Sequence, residues 1–516
     1  MNLRRLFTLI LLAVTGKQIQ AQSPDWAEKI APILYTNCSG CHIEGGIAPM
    51  SFTGYEAAKT YAYSIKGATQ SKSMPPWPAD PQYRRMAHEK LLSAQEIQDI
   101  SDWVDAGMPS GDTTKAPAAP SPKTGSSILN ANLKLKMPDY KVKTSNDEYR
   151  CFVLPTGLSA DKFLTEIEVV PGNYSVVHHV LVFHDTSKVP LQLDSADPNP
   201  GYLGFGGTGS STSKMIGVWV PGQDPFQMPP GMGIKLEKNG YIILQVHYPA
   251  NIQDVTDSSK VYLKYSSSAL REVGIAPALN HIAPSLQNGP LYIPANQKKD
   301  FTSKYTVPID ISIFAVAPHM HLIGQKIKAF GVVKPGDTNK FISIPQWDFH
   351  WQRTYTFTKV QKIPSGTVLW GNASYDNTSG NPLNPNKPPK AVSLGEATTD
   401  EMMLVYFWYT LYQNGDENMV LDTTQPKNLS HTNSFATHSI VGFPNPAGEI
   451  YHLRGVTNEK DRLNYQLFNV AGKLIPCSWK WNGEEVEFDI RNLAAGNYYL
   501  KISGIGFTKN MALIKL

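Results

Sequence analysis

Cysteine is scarce in this 516-residue chain, with only Cys38, Cys41, Cys151 and Cys477. Four thiols, two of them three positions apart, exclude a disulfide framework as the main source of stability and leave the close pair for another use. Long apolar runs are equally scarce. The one notable run, Leu6 to Val14, follows Arg4 and Arg5 and precedes the small Ala21. It is far shorter than the ~20 residues that cross a bilayer, so residues 1–21 read as a secretory signal and no transmembrane span is expected. An excess of one charge is also lacking: 47 Lys and Arg stand against 43 Asp and Glu, with no run of five basic residues. That balance excludes the electrostatic footprint of a nucleic-acid partner.

What the chain does have is 39 Gly, 39 Pro and 24 Tyr, a bias towards turns and strands, in a length that accommodates several cores. The Pro/Ser/Thr/Ala-rich stretch 113–127 reads as a linker. Before it, over 22–112, the patterns are helical. Ser93 and Glu96 form a capping box, Ile97, Ile100, Trp103 and Val104 make an apolar stripe, Gly107 is a stop, and Ser23-Pro24 suits an earlier helix start. After it, FLTEIEVV, IILQVHY, ISIFAVA and MMLVYFWYT alternate with Gly/Pro/Asn turns, as antiparallel sandwiches require. We divide this β region into 128–288 and 289–425, and read 439–516 as a separate small β-sandwich. The expected fold is therefore multidomain: an all-α N-terminal domain, two central all-β sandwiches and a small C-terminal β-sandwich.

Cys38-Ser39-Gly40-Cys41-His42 has the C-x-x-C-H spacing that attaches haem c through two thioethers and ligates iron through the histidine. Met50, Met74, Met86 and His88 are the available partners for the opposite axial position. Met74 is preferred, because prolines stiffen its MPPWP loop. GGIAPMSFTGYEAA and MPPWPAD resemble a class of c-type cytochrome domains, which implies an all-helical domain over 22–112.

Histidines on expected strands form a second constellation. In His319-Met320-His321 the two imidazoles project to one face of a strand and can chelate one ion, with Met402 as a soft third donor suited to Cu(I). His178 and His179 are adjacent, so their joint use with His247 requires a bulge or strand end. Imidazole alone does not discriminate copper from zinc, iron or nickel. His184 reads as a surface or supporting residue. His350 reads as core packing, with cleft lining as the alternative.

VHHVLVF, LQVHYPA, HMHLIG and DEMMLVYFWY occur in an order and spacing that resemble the type II copper, ascorbate-dependent monooxygenases, over roughly residues 130–425. That resemblance implies two jelly-roll sandwiches with one copper ion on each. His178, His179 and His247 would hold the electron-transfer copper; His319, His321 and Met402 would hold the oxygen-activating copper. The implied reaction is hydroxylation of a C–H bond of a small-molecule substrate by O2, with an external donor reloading the haem. Where the peptide-hydroxylating members have an arginine, two residues before H-x-H, this chain has Ala317. Their asparagine two residues after the ligand methionine is Leu404, whereas the substrate-side Tyr406 is retained. A C-terminal glycine peptide is thereby disfavoured, since a buried carboxylate needs partners. A non-catalytic haem/copper electron carrier is the alternative.

Phe443-Pro444-Asn445-Pro446, Leu493 to Tyr499 and Lys515 resemble the type IX secretion sorting domain. This implies passage through the periplasm, recognition by secretion machinery, and a final location at the cell surface or outside the cell. Cys477 then has no catalytic role.

Overall fold

Period-two alternation accounts for the sheets that dominate this computed structural model, which describes residues 23–48, 50–121, 125–204, 206–424, 441–454, 464–470, 473–482, 485–504 and 507–516. The signal-like stretch 1–21 lies outside the described residues. The strand Tyr140–Thr144 shows the rule plainly, buried at Tyr140, Val142 and Thr144 and exposed at the lysines between them. Tyr241–Tyr248 is instead buried along almost its whole length. It lies centrally, paired with Glu148–Pro155 on one side and His179–Asp185 on the other.

The first sandwich sets a five-stranded sheet, in the order Tyr202–Leu203, Glu148–Pro155, Tyr241–Tyr248, His179–Asp185, Lys214–Trp219, against a six-stranded sheet. Val180, Val182, Leu244, Val246 and Leu263 fill the space between them and are inaccessible to solvent. The chain passes to the second sandwich at Val273, between Arg271–Glu272, which pairs with Met232–Leu236, and Gly274–Leu279, which pairs with Leu404–Leu411. One sheet there runs Gly274–Leu279, Leu404–Leu411, Ile311–His319, Tyr355–Ile363; the facing sheet runs Lys298–Thr306, Val368–Asp376, Gly324–Lys334, Asp337–Ile344. Two further four-stranded sheets form the C-terminal unit around Tyr451, Leu453, Phe488, Leu500 and Ile502.

The two central sandwiches share apolar surface. Phe314, Ala315, Val360 and Trp408 of the second join the core of the first, and Phe226 lies 5.8 Å from Trp408, ring to ring. A polar staple crosses the same seam: the two terminal guanidinium nitrogens of Arg271 donate to the Asp416 carboxylate at 2.8 Å each, and Ser312 Oγ donates to it at 2.6 Å. Burial and a bidentate charge-assisted pair thus fix how the sandwiches meet.

The expected all-α cytochrome domain over 22–112 is corrected by the structure. The described chain is mostly strand, and this segment contributes short helical pieces: Trp26–Ile30, Ala31–Asn37, Tyr55–Thr60, Ala62–Gln70 and Ala94–Asp105. Trp26, Ile30, Leu34, Ile65, Ile100 and Trp103 cluster among them, but the chain between the last two helices leaves that cluster. Ala79 and Met86 enter the core of the second sandwich. Asp80 N donates to Ser343 O at 2.8 Å, and Ala87 N donates to Thr356 O at 2.8 Å. Prolines in MPPWPAD block helix there, and an apolar sheet face offers better burial. The Ser93/Glu96 capping box is present. The first helical turn is capped by Asp25, whose carboxylate accepts from Glu28 N, rather than by Ser23. Among the described residues, no helix is long and apolar enough to cross a membrane.

Candidate functional site

His178 immediately precedes the strand that starts at His179, and His179 stands directly across from His247 in the neighbouring strand. Because His178 lies outside the regular strand, with its backbone N–H donating to His247 O at 3.0 Å, its side chain turns to the same side as that of His179. The three Nδ1 atoms form a triangle with edges of 3.2, 3.2 and 3.4 Å. A point equidistant from them lies about 1.9 Å from each, close to the ~2.0–2.1 Å of a metal–imidazole bond. Tyr149, in register opposite His247, stacks on its ring at 4.4 Å and 3°. Asp147 Oδ1 lies 3.7 Å from His247 Nε2. Burial pushes His178 down to about 4, with His247 and His350 adding to the effect, and holds His179 well below the ordinary histidine range. The three converging nitrogens make a group that could hold a metal ion.

The second cluster forms where the strand Ile311–His319 ends. The His319 and His321 rings are 5.0 Å apart and nearly perpendicular. His319 Nδ1 lies 2.5 Å from Gln352 Oε1, and the amide is oriented by Gln352 Nε2 donating to Phe349 O at 2.9 Å. His321 Nδ1 faces Asp400 O at 3.1 Å. Both acceptors are oxygens, so each Nδ1 carries the proton and each Nε2 keeps its lone pair for a metal. Burial lowers both rings, His319 to about 3. Met402 enters from the start of the strand Leu404–Leu411, and Leu404 lies in register with His319. Glu401 staples this corner, its carboxylate accepting from the backbone N–H groups of His321, Ile323 and Met402 at 2.9, 2.9 and 3.1 Å. Burial nevertheless pushes Glu401 up to about 8.

Both clusters open onto one cavity of about 720 Å³ between the sandwiches, lined also by Ala317, Leu404 and Tyr406. Ala317 and Tyr406 are register partners and so share a face. Burial raises the Tyr406 phenol to about 12.

The short turn Phe349–Trp351 lies between the two clusters. Phe349 approaches His321 and His350 approaches His178, each at 5.9 Å between ring centroids. His350 is exposed and paired with Asp348 at 3.0 Å, so it lines the cleft and does not pack in a core. His184, read as a surface or supporting residue, is 1% exposed. It lies 3.9 Å from Glu237, away from both clusters.

Cys38 and Cys41 are free thiols, and burial is the main cause that raises both, Cys38 to about 12. That is the opposite of an activated redox dithiol. The helix Ala31–Asn37 delivers Cys38 at its end, and Cys41 N and His42 N both donate to Cys38 O, closing the turn. His42 Nδ1 faces Met50 O at 3.1 Å and its ring stacks on Phe52 at 4.1 Å, so Nε2 is the ring nitrogen outside that contact. The turn lies against the first sandwich: a Cβ placed on Gly222 would meet Cys41 Sγ at 3.4 Å. Of the axial candidates, Met86 is 3% exposed in the second sandwich core, and His88 N donates to Asp422. Met74 is half-buried in its loop.

Sequence reasoning missed three cavity-lining residues, His281, Gln352 and Arg353, and the buried Glu401 behind them. Gln352 and Arg353 lie within WDFHWQRTY, Glu401 directly precedes Met402, and His281 accepts from Met403 N at 3.0 Å through Nδ1. Proximity in sequence to a proposed ligand was a signal for Glu401 alone; Gln352 and Arg353 stand beside His350, which was read as core packing, and His281 had no signal.

Residues 133–255 match the model of the copper type II ascorbate-dependent monooxygenase N-terminal domain, and residues 292–433 match that of its C-terminal domain. Residues 442–515 match the secretion system C-terminal sorting domain, which directs export by the type IX route to the cell surface or beyond. The chain is 24% identical over 349 residues to tyramine beta-hydroxylase of Caenorhabditis briggsae, covering 64% of this chain and 55% of the relative. It is 25% identical over 281 residues to dopamine beta-hydroxylase of Homo sapiens, covering 50% and 44%. The chain thus spans about half the length of these curated relatives. Among solved structures, the likeness to that of the infectious bursal disease virus Gx strain has a TM-score of 0.16, at 12% identity over 60% of this chain and 78% of that one, too low to compare folds. The two monooxygenase matches together take in half of the chain, both histidine clusters and Met402, and the protein belongs to the copper type II ascorbate-dependent monooxygenase family.

Proposed function

We propose that this protein is an exported copper monooxygenase that hydroxylates a C–H bond of a small organic substrate with O2, using electrons delivered through a haem c on the same chain. The observation that carries this reading is the convergence of two histidine clusters on one cavity, the first with its three nitrogens at metal-binding separations. His178, His179 and His247 would hold one copper ion as the electron-transfer site; His319, His321 and Met402 would hold the other. Bound copper would supply a one-electron couple at each site and, at the methionine site, the activation of dioxygen. One oxygen atom enters the C–H bond and the other leaves as water, with two electrons and two protons consumed per turnover.

The protein's own groups orient and exclude. Gln352 and the Asp400 carbonyl fix the ligand tautomers of His319 and His321, and Glu401 holds the backbone that carries His321 and Met402. Tyr406 faces the cavity as a substrate contact. Ala317 and Leu404, beside Val218, Ile275 and Trp408, give that cavity a largely apolar wall suited to an apolar or aromatic skeleton. Cys38, Cys41 and His42 fit covalent haem: two reduced thiols, and an imidazole whose Nδ1 is already engaged. Met74 is the proposed opposite ligand. The motif's contact with the Gly222 loop of the first sandwich favours electron entry at that side of the cleft.

The test is metal and haem content of the full chain, with the rate of haem reoxidation by oxygen, for wild type and Met402→Ala. Two coppers and one haem per chain, with reoxidation abolished by the substitution, are expected. Reoxidation of Met402→Ala at the wild-type rate would instead favour a non-catalytic haem/copper electron carrier.

A further inference from the structure

The strand Gly274–Leu279 pairs with Leu404–Leu411, and Leu279 lies opposite Val405. Carried two residues further, the same register sets His281 opposite Met403, and there Met403 N donates to His281 Nδ1 at 3.0 Å. The carbonyl of the same peptide unit, Met402 O, accepts from Tyr375 Oη at 2.7 Å. Both polar ends of that peptide are thus held, and its N–H stays on the ring. A ring nitrogen that accepts a hydrogen bond keeps its lone pair, so the proton of the neutral imidazole is on Nε2. Burial keeps the ring neutral, lowering it to about 4, and nearby His321 adds to the effect. His281 is half-buried and lines the cavity. With Nδ1 turned to the backbone, Nε2–H is the polar edge left for the cavity, and among the described residues nothing partners it. His319 and His321 are the reverse, facing oxygens through Nδ1. His281 therefore brings a donor to the cavity rather than a lone pair. The wall leading to it is apolar: Val273, Ile275 and Pro277 line the cavity at alternate positions, and Trp408 stands in register with Ile275.

We propose that His281 is a specificity-determining residue whose Nε2–H binds an oxygen acceptor, a carbonyl or a hydroxyl, on an otherwise apolar substrate. This rests on the reading above of a small organic substrate in this cavity, and it adds the class of functional group that the substrate carries. Pockets take their orientation from a few placed polar groups on an apolar wall. A molecule of the same shape without the acceptor strands the donor away from water, and that cost is what discriminates. Because the Met402–Met403 peptide fixes the ring, the donor has one position. The acceptor's place in the substrate then sets which carbon comes to the methionine site.

The test uses the reduced full chain loaded with copper, comparing wild type, His281→Asn and His281→Gln. Asparagine keeps an acceptor near the Nδ1 position and loses the Nε2 donor, whereas the glutamine amide reaches the Nε2 position and donates there. Calorimetry reads the affinity for acetophenone against α-methylstyrene, which has the same shape with a methylene in place of the carbonyl oxygen. Wild type is expected to bind acetophenone about three- to tenfold tighter, the worth of one hydrogen bond. His281→Asn should bind the two within about twofold, and His281→Gln should recover the preference. A merely structural histidine would weaken both ligands together and leave their ratio unchanged. Nitrogen-15 NMR of the histidine-labelled chain, with His281 assigned by its loss in His281→Asn, should show a protonated Nε2 and an unprotonated Nδ1, the former shifted by acetophenone alone. Should neither variant fold, wild type still decides through its preference. No preference in wild type, no binding of either ligand, an unchanged ratio in His281→Asn, or a proton on Nδ1 overturns the proposal. Failure of the monooxygenase reading shows separately, as haem reoxidation by oxygen that Met402→Ala leaves unchanged.

Discussion

Replacing Gln352 with leucine isolates one hydrogen bond at the methionine-containing site. In the wild type the amide oxygen lies 2.5 Å from His319 Nδ1, and the amide nitrogen is anchored to Phe349 O at 2.9 Å, so the oxygen cannot rotate away without losing a second bond. Leucine keeps the volume and removes the acceptor. The His319 proton then has no partner at Nδ1, and the ring loses the restraint that presents Nε2 to the metal. Supporting hydrogen bonds of this kind are worth about ten- to a hundredfold in metal affinity, or ~1.4–2.7 kcal/mol. Competition of the reduced protein with a bicinchoninate chelator reads Cu(I) affinity directly, and the three-histidine site serves as the internal control because its ligands do not touch Gln352. Loss at one copper of two is expected, with Gln352→Glu retaining both because a carboxylate oxygen accepts equally well. Two coppers bound by Gln352→Leu within twofold of wild-type affinity would refute the view that this bond sets the His319 tautomer.

Further expectations concern stability and loading. Arg271→Ala leaves Asp416, 2% exposed, without its bidentate partner, and should destabilise the seam by ~3–5 kcal/mol, read as a lowered midpoint in denaturant. Burial opposes ionisation of Asp416, but Arg271 and Ser312 outweigh it and depress its pKa. The staple's contribution is therefore complete above the unfolded carboxylate value of about 3.9 and lost as pH falls through the lower folded value; Arg271→Ala should flatten that acid limb of the melting curve. The metal-free chain should lose stability as pH drops from about 6.5, because unfolded imidazoles bind protons that folded His178, at about 4, and His319, at about 3, do not; a pH-independent melting temperature between 7 and about 5 would contradict this. Cys38→Ser with Cys41→Ser should abolish covalent haem, read by absorption after denaturation, while copper content stays at the wild-type value.

Short-range spacing made much of this protein legible. The H-x-H spacing put His319 and His321 in one cluster, although the strand ends at His319, and Cys38, Cys41 and His42 close one turn at the end of a helix because a few residues of local backbone suffice. Ser93 and Glu96 cap their helix for the same reason. These features depend on neighbours within a few positions, and the residue string contains them. The tertiary structure alone decided what distant segments do to one another. The apolar face of the second sandwich draws in Ala79 and Met86, so the segment expected as a closed helical domain is not one. His184 is buried although its strand could have placed it on a surface, and His350 is exposed although aromatic residues surround it in sequence. Gln352 meets His319 across 33 positions, and His281 meets Met403 across 122. Such contacts follow from how strands far apart in sequence pair within the second sandwich, where Ile311–His319 lies between Tyr355–Ile363 and Leu404–Leu411. Such long-range pairing is set by the summed burial of many side chains and has no period to read along the chain.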